Sequence, residues 1–375
     1  MKRHALPLLL IVPLAAGCSS TGVPLEPYVG GRVVERAQPP QADAGIWARL
    51  VPSGGKGGVS YVYEWPGVYF EAQFTGDSVD VKVDDDQNNL YLWLDGVHKL
   101  TLTRGGRTTL SLKDLGPGSH VVRLEKASET QSSTGAFDGF YVPSRSDVLP
   151  RPQYGRRIEF IGDSYTVGYG NTSRGQTCTV QDVADTTDTS LAFAPMTAKH
   201  FHAAYRINAF SGRGIVRNYS DIAHGDTLPV MYRYKLFDKS AEAKDAGWSP
   251  DVVVIGLGTN DFSTELAPTE VWKTRDELHA DFQKTYVEFV KTIRAKWPDA
   301  HIILWATTGF AGEINAQVTA VADTLKAQNF ADFEMMSVDN LDMQSCHFHP
   351  SLKDEAILSQ MLIDRIAALP RFKAP

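Results

Sequence analysis

The hydrophobic rhythm of this chain changes once, and that change dictates two architectures. Between residues 59 and 142 apolar and polar side chains alternate. Val68, Phe70, Ala72 and Phe74 interleave with Tyr69, Glu71 and Gln73; Val79, Val81 and Val83 with Asp80 and Lys82; Leu90, Leu92 and Leu94 with Tyr91 and Trp93. Gly76-Asp77, Asp95-Gly96, Gly105-Gly106 and Gly116-Pro117-Gly118 punctuate these runs as turns. A period of two gives each strand one apolar and one wetter face. This part therefore predicts an antiparallel all-β sandwich, jelly-roll-like, over residues 46–147. Asp84-Asp85-Asp86 reads as a solvated hairpin tip in preference to a calcium site, because no further ligand spacing follows.

Three prolines within residues 143–152 mark the boundary. Beyond it, strands read as continuous apolar runs and alternate with helices. The runs lie at 158–161, 252–257 and 302–305, with shorter strands near 206–210 and 334–338. Helices are predicted over about 192–204, 269–297 and 313–328, and from Pro350-Ser351 onward. Strands buried on both faces and separated by helices predict a parallel, doubly wound α/β sheet for residues 148–375.

The N-terminus reads as a targeting segment. Lys2 and Arg3 precede a short apolar core at 6–14, too short to span a bilayer, and Ala15-Ala16-Gly17-Cys18 resembles a lipoprotein cleavage box. This predicts a signal peptide over residues 1–17, lipidation of Cys18 and a membrane attachment through that lipid. Ser19, not an aspartate, favours the outer membrane by resemblance; a plain secretory signal, giving a periplasmic or secreted protein, is the alternative. Residues 18–45, with Pro24, Pro27, Pro39 and Pro40, are expected to form a tether, with a first strand starting near 32–35. In an oxidising compartment Cys178 and Cys346 are expected to pair. The 37 basic and 44 acidic residues leave a net charge of −7, with no dense basic run, which argues against a nucleic-acid partner. A neutral ligand such as a sugar meets no electrostatic objection. No motif asks for a metal or cofactor.

In a doubly wound sheet, ligands bind beyond the carboxyl ends of the strands. Four features fall there: Ser164 in Gly162-Asp163-Ser164, Gly212 in Ser211-Gly212-Arg213-Gly214, Asn260 in Gly258-Thr259-Asn260-Asp261, and His349 before the last helix. This set, in this order, resembles the SGNH (GDSL) hydrolases over about residues 156–370. A serine needs a base to become a nucleophile, and His349 is the candidate. The tetrahedral intermediate needs preorganised donors, each typically worth about 3 kcal/mol. The Ser164 N–H, the Gly212 N–H and the Asn260 amide are the candidates, with Gly214 as an alternative to Gly212. Asp163 and Asp261 are expected to brace their loops.

GDSYTVGYGN, SGRGIVRNY, WSPDVVVIGLGTNDF and SCHFHPS look like family 2 of the carbohydrate esterases, whose members carry a β-sandwich ahead of the SGNH domain. The resemblance implies removal of acetyl groups from plant polysaccharides such as xylan or glucomannan, often at the primary hydroxyl of C6. The partner it implies is an acetylated polysaccharide or oligosaccharide. One position departs from the family: an aspartate usually precedes the catalytic histidine by two residues, and here that residue is His347. The expectation is a Ser164–His349 dyad with the imidazole held by a backbone carbonyl. Asp339 or Asp342 as substitute acids, and His347 as the base, are the alternatives. A Cys178–Cys346 bridge would fasten the histidine loop over the serine loop. Phe262, Trp305 and Phe310 are candidates for a sugar cleft or for the core. Other readings are an SGNH esterase for a lipid or a bacterial O-acetylated glycan, or a non-catalytic polysaccharide-binding lipoprotein.

Overall fold

The computed structural model describes residues 22–37, 59–143, 146–245 and 247–373. Residues 1–17, read as a signal peptide, and Cys18 lie outside these residues. The N-terminal part holds strands β1 (Gly22–Leu25), β2 (Tyr28–Gly30), β3 (Val34–Ala37), β4 (Val59–Tyr63), β5 (Tyr69–Thr75), β6 (Val79–Asp85), β7 (Asn89–Leu94), β8 (Val97–Thr103), β9 (Gly106–Leu112), β10 (Ser119–Lys126) and β11 (Gly135–Pro143). They form two antiparallel sheets. One runs β3-β4-β11-β6-β9, with β1 extending the β4 edge of β11; the other runs β2-β5-β10-β7-β8. The alternating apolar residues meet between them: Phe70 stacks on Phe137 at 4.2 Å, and Val81, Leu92, Leu124 and Phe140 are buried around this pair. Asp84 pairs with Arg107 at 2.7 Å, and Asp85 accepts from Tyr63 and Asn88.

Two expectations need correcting. A strand does begin in the expected place, β3 at Val34, but residues 22–30, assigned to the tether, supply two more strands, while residues 38–45 fall outside the described residues. Strands β1 and β2, of four and three residues, show too little alternation to be read locally. Between β2 and β3, Arg32 is 2% exposed. It donates to the Tyr232 carbonyl at 2.5 Å and to Asp245 at 3.1 Å, far along the chain. The second correction concerns the wetter face of the second sheet, which is covered at β5 and β10 while β8 stays exposed. Tyr69, Glu71 and Glu125 are buried against the C-terminal part. The Arg123 guanidinium lies 3.6 Å over Tyr69, pairs with Glu71 at 2.9 Å and Glu125 at 3.2 Å, and donates to Tyr205 at 2.6 Å. Burial pushes the Glu125 carboxyl up, but Arg123 and Lys199 outweigh it and hold it at about 2.

The C-terminal part is a parallel sheet of β12 (Arg157–Gly162), β13 (Ala204–Ala209), β14 (Val252–Gly256), β15 (His301–Thr307) and β16 (Phe333–Val338), in the order β13-β12-β14-β15-β16. Its helices are α1 (Ser164–Val167), α2 (Val180–Thr186), α3 (Phe193–His200), α4 (Leu228–Met231), α5 (Thr259–Phe262), α6 (Arg275–Lys296), α7 (Glu313–Ala327) and α8 (Leu352–Ala368). Alternate strand residues feed two cores. Phe160, Val254 and Ile303 pack with Phe193, Leu358 and Leu362 of α3 and α8. Ile161, Ile255 and Leu304 pack with Leu278, Phe282 and Val318 of α6 and α7. Burial on both faces is why these strands read as unbroken apolar runs. The order places the first strand between the second and third, the switch point at which such sheets bind ligands.

Replacing Arg32 by alanine leaves Asp245 and Glu159 short of a buried partner. The expected result is a lower urea midpoint, equivalent to about 3 kcal/mol; a tether residue would change nothing.

Candidate active site

Strand β12 ends at Gly162, whose ladder partners are Ala209 of β13 and Gly256 of β14. The three loops that follow these strands therefore open side by side, and they carry Ser164, Gly212 and Asn260. Asp163 caps α1: its carboxylate accepts the Tyr165 N–H at 3.1 Å, and its carbonyl accepts from Thr166 and Val167 at 3.0 and 3.1 Å. Ser164 is the first residue of that helix, so its N–H has no acceptor within the helix. Burial drives the Asp163 carboxyl up to about 7; the Tyr165 N–H opposes this and the charge of Asp261 adds to it.

His349 reaches this serine from the far end of the chain. Ser351 caps α8 in a reciprocal box with Asp354, which fixes the loop two residues beyond the histidine. The Nε2 atom lies 2.8 Å from Ser164 Oγ, and Nδ1 lies 2.9 Å from the Cys346 carbonyl and 3.2 Å from the His347 carbonyl. Carbonyls only accept, so the proton sits on Nδ1 and Nε2 is free to accept the serine hydroxyl. The Tyr169 ring covers the imidazole at 4.3 Å and Tyr165 meets it edge-on at 5.4 Å. Burial pushes the imidazole down to about 4, against the two carbonyls, which favour its charged form. A neutral imidazole is therefore favoured at pH 7.

His347 occupies the place of the missing aspartate and does not do its work. Its Nε2–H donates to the Cys178 carbonyl at 2.9 Å, and its Nδ1 lies 3.1 Å from the Tyr169 hydroxyl. Asp339 accepts from Thr308 at 2.6 Å; Asp342 accepts from Ser351 at 3.0 Å and Lys353 at 3.1 Å. These partners occupy all three residues that were alternatives around His349. Cys178 and Cys346 form a disulfide across 168 residues, tying the histidine loop to the loop after the serine.

On the other side of Ser164, Gly212 has φ +85°, a left-handed conformation that penalises any side chain. Gly214 cannot exchange roles with it. Its N–H donates to Asn218 at 3.2 Å, and a Cβ there would meet the Arg217 carbonyl at 2.1 Å. Asp261 braces this loop rather than only its own, accepting the N–H groups of Ile215, Val216 and Arg217 at 2.9 to 3.1 Å. Burial raises its carboxyl to about 6 against those three donors. Asn260 Nδ2 donates to the Arg213 carbonyl at 2.9 Å and lies 3.3 Å from Asp163. Arg217, 1% exposed, pairs through two nitrogens with Glu270 and ties the loop after α5 to this region. Phe262 packs on Phe282 and Trp305 on Phe193, both in the core, whereas Phe310 is 50% exposed at the carboxyl end of β15. Tyr169, Arg217 and the reach of Asp261 were not readable in the sequence; only the Gly168-Tyr169-Gly170 run hinted at an aromatic ring held close to the serine turn.

Two family models match: the carbohydrate esterase 2 N-terminal domain over residues 57–152 and the GDSL-like lipase/acylhydrolase family over residues 160–352. An acetylxylan esterase / glucomannan deacetylase of Cellvibrio japonicus is 42% identical over 371 residues, covering 98% of each chain. The cellulase/esterase CelE of Acetivibrio thermocellus is 31% identical over 65% of this chain and 29% of its own. A carbohydrate esterase whose active site is described as having divergent catalytic and non-catalytic binding functions superposes with a TM-score of 0.83 at 41% identity, over 93% of this chain and 99% of that one. A family two carbohydrate esterase from Clostridium thermocellum, in complex with cellohexaose, superposes with a TM-score of 0.73 at 25% identity, over 91% and 98%. With both family models matched in this order and a relative 42% identical over 98% of each chain, the chain belongs to family 2 of the carbohydrate esterases, SGNH-type hydrolases of carboxylic esters.

Proposed function

We propose that this enzyme removes O-acetyl groups from plant polysaccharides, xylan and glucomannan, favouring acetyl on the primary O6, through a Ser164–His349 dyad. The observation that carries the dyad is the 2.8 Å contact between Nε2 and Oγ with Nδ1 held on a carbonyl. Ser164 Oγ attacks the acetyl carbon while its proton passes to Nε2. The oxyanion is received by the N–H groups of Ser164 and Gly212 and by the Asn260 amide, which gives up its long contact to Asp163. The imidazolium returns the proton to the departing sugar oxygen, and water then hydrolyses the acetyl-serine by the same relay.

The identity of the Cellvibrio relative supports the substrate class. So does the site: Ser164 is only 3% exposed, which suits a small acyl group better than a fatty one. Phe348, beside the base, and Tyr219, whose N–H donates to the Gly212 carbonyl at 2.9 Å, are large exposed side chains on which a sugar ring can lie. The preference for O6 rests on the family resemblance. The Lys2-Arg3 start and the box ending at Cys18 support export and a lipid anchor, with the outer membrane as destination.

The wild type is expected to release acetate from acetylated xylan and glucomannan faster than it cleaves a lipid ester, and Ser164→Ala to abolish both. His349→Ala should cost on the order of 10⁴-fold in kcat and His347→Ala less than about tenfold. Equal losses would move the base to His347. The pH profile is a second check. The active form is the neutral imidazole, and burial disfavours its protonation, so the acid limb of kcat/KM should fall near pH 4 and not at the ordinary imidazole value of 6.5.

A further inference from the structure

The chain between β10 and β11 leaves the sandwich and reaches the active site. The Thr189 N–H donates to the Ala127 carbonyl at 2.6 Å. Two residues on, Glu129 accepts the Ser211 N–H at 2.9 Å, and Gln131 Nε2 donates to the Ser211 carbonyl at 3.0 Å. That carbonyl belongs to the same peptide unit as the Gly212 N–H. The unit is planar and trans, so its C=O and N–H point in opposite directions. Holding the carbonyl therefore aims the N–H. This peptide needs holding, because Gly212 has no Cβ to resist rotation at φ +85°. Beyond it, the Gly212 carbonyl is tied to the Tyr219 N–H at 2.9 Å.

We propose that Glu129 and Gln131, both carried by the sandwich, are positioning residues for ester hydrolysis: they clamp the Ser211–Gly212 peptide so that its N–H faces the oxyanion. This rests on Gly212 being an oxyanion donor. It makes the sandwich part of the catalytic apparatus, with no need for it to bind glycan by itself.

The test uses the full chain and 4-nitrophenyl acetate. Glu129→Ala and Gln131→Ala should each lower kcat by roughly ten- to a hundredfold with KM within about twofold. Affinity for a boronic acid that mimics the tetrahedral intermediate should fall in proportion. Glu129→Gln, whose amide oxygen accepts the same N–H, should recover most of the loss. Gln131→Glu should not, because a carboxylate cannot donate to the Ser211 carbonyl. Gln131→Met, of similar size, keeps the test open should Gln131→Ala unfold. Unchanged kcat in folded variants, a loss confined to KM, or a kcat loss with unchanged boronate affinity would each overturn the clamp. Failure of the polysaccharide reading looks different: the wild type would release no acetate from xylan or glucomannan yet still cleave the small ester.

Discussion

The site depends on one hydrogen bond, from His349 Nδ1–H to the Cys346 carbonyl. A base can take the Ser164 proton only if its own proton is on the far nitrogen and its ring is held in line. A carboxylate usually does both and also stabilises the imidazolium. A carbonyl does the first two and offers only a dipole for the third, in keeping with an imidazole driven down to about 4 by burial. Turning the Cys346 and His347 carbonyls onto one nitrogen requires an unusual loop. His347 and Phe348 have φ of +52° and +61°, a region that costs side-chain-bearing residues about 1 kcal/mol each. The loop is over-determined to match. The disulfide, the two side-chain contacts of His347, the Ser345–His349 bridge and the capping box of α8 all hold it.

The rest of the molecule serves to bring distant loops to that histidine. The strand order sets the serine, glycine and asparagine loops side by side. Asp261 then locks the glycine loop to the asparagine loop, and the sandwich grips the same glycine loop from the other side. The two parts meet through buried charge. Arg123, Glu71, Glu125 and Tyr205 form one network, and Arg32 and Asp245 another. Buried pairs of this kind add little net stability over apolar contacts, but breaking one is costly.

Much of this was legible in the sequence, for a physical reason. Parallel strands end where an apolar run meets glycine and small polar residues, so Ser164, Gly212 and Asn260 could be placed at strand ends without coordinates. The alternation between residues 59 and 142 reported the sandwich for the same reason: burial on one face writes a period of two. What escaped had no local signature. The strands at Gly22–Leu25 and Tyr28–Gly30 are too short to alternate. Arg32, Arg217, Glu129 and Gln131 find their partners across separations of 53 to 213 residues, and a charged residue looks alike whether it ends in solvent or in a buried pair. Phe262 and Trp305 were ambiguous between cleft and core, and core packing claimed both. The lack of an aspartate is visible at His347; the two carbonyls that face His349 Nδ1 are set by backbone geometry.

The Cys346 carbonyl faces Nδ1 of His349, the proposed base, and so sets the tautomer of that ring. Nitrogen-15 NMR of imidazole-labelled protein, with His349 assigned through its alanine variant, reads that tautomer directly. At pH 7 a neutral ring is expected, with its proton on Nδ1 and a bare Nε2. A proton on Nε2, or an imidazolium at that pH, would contradict it.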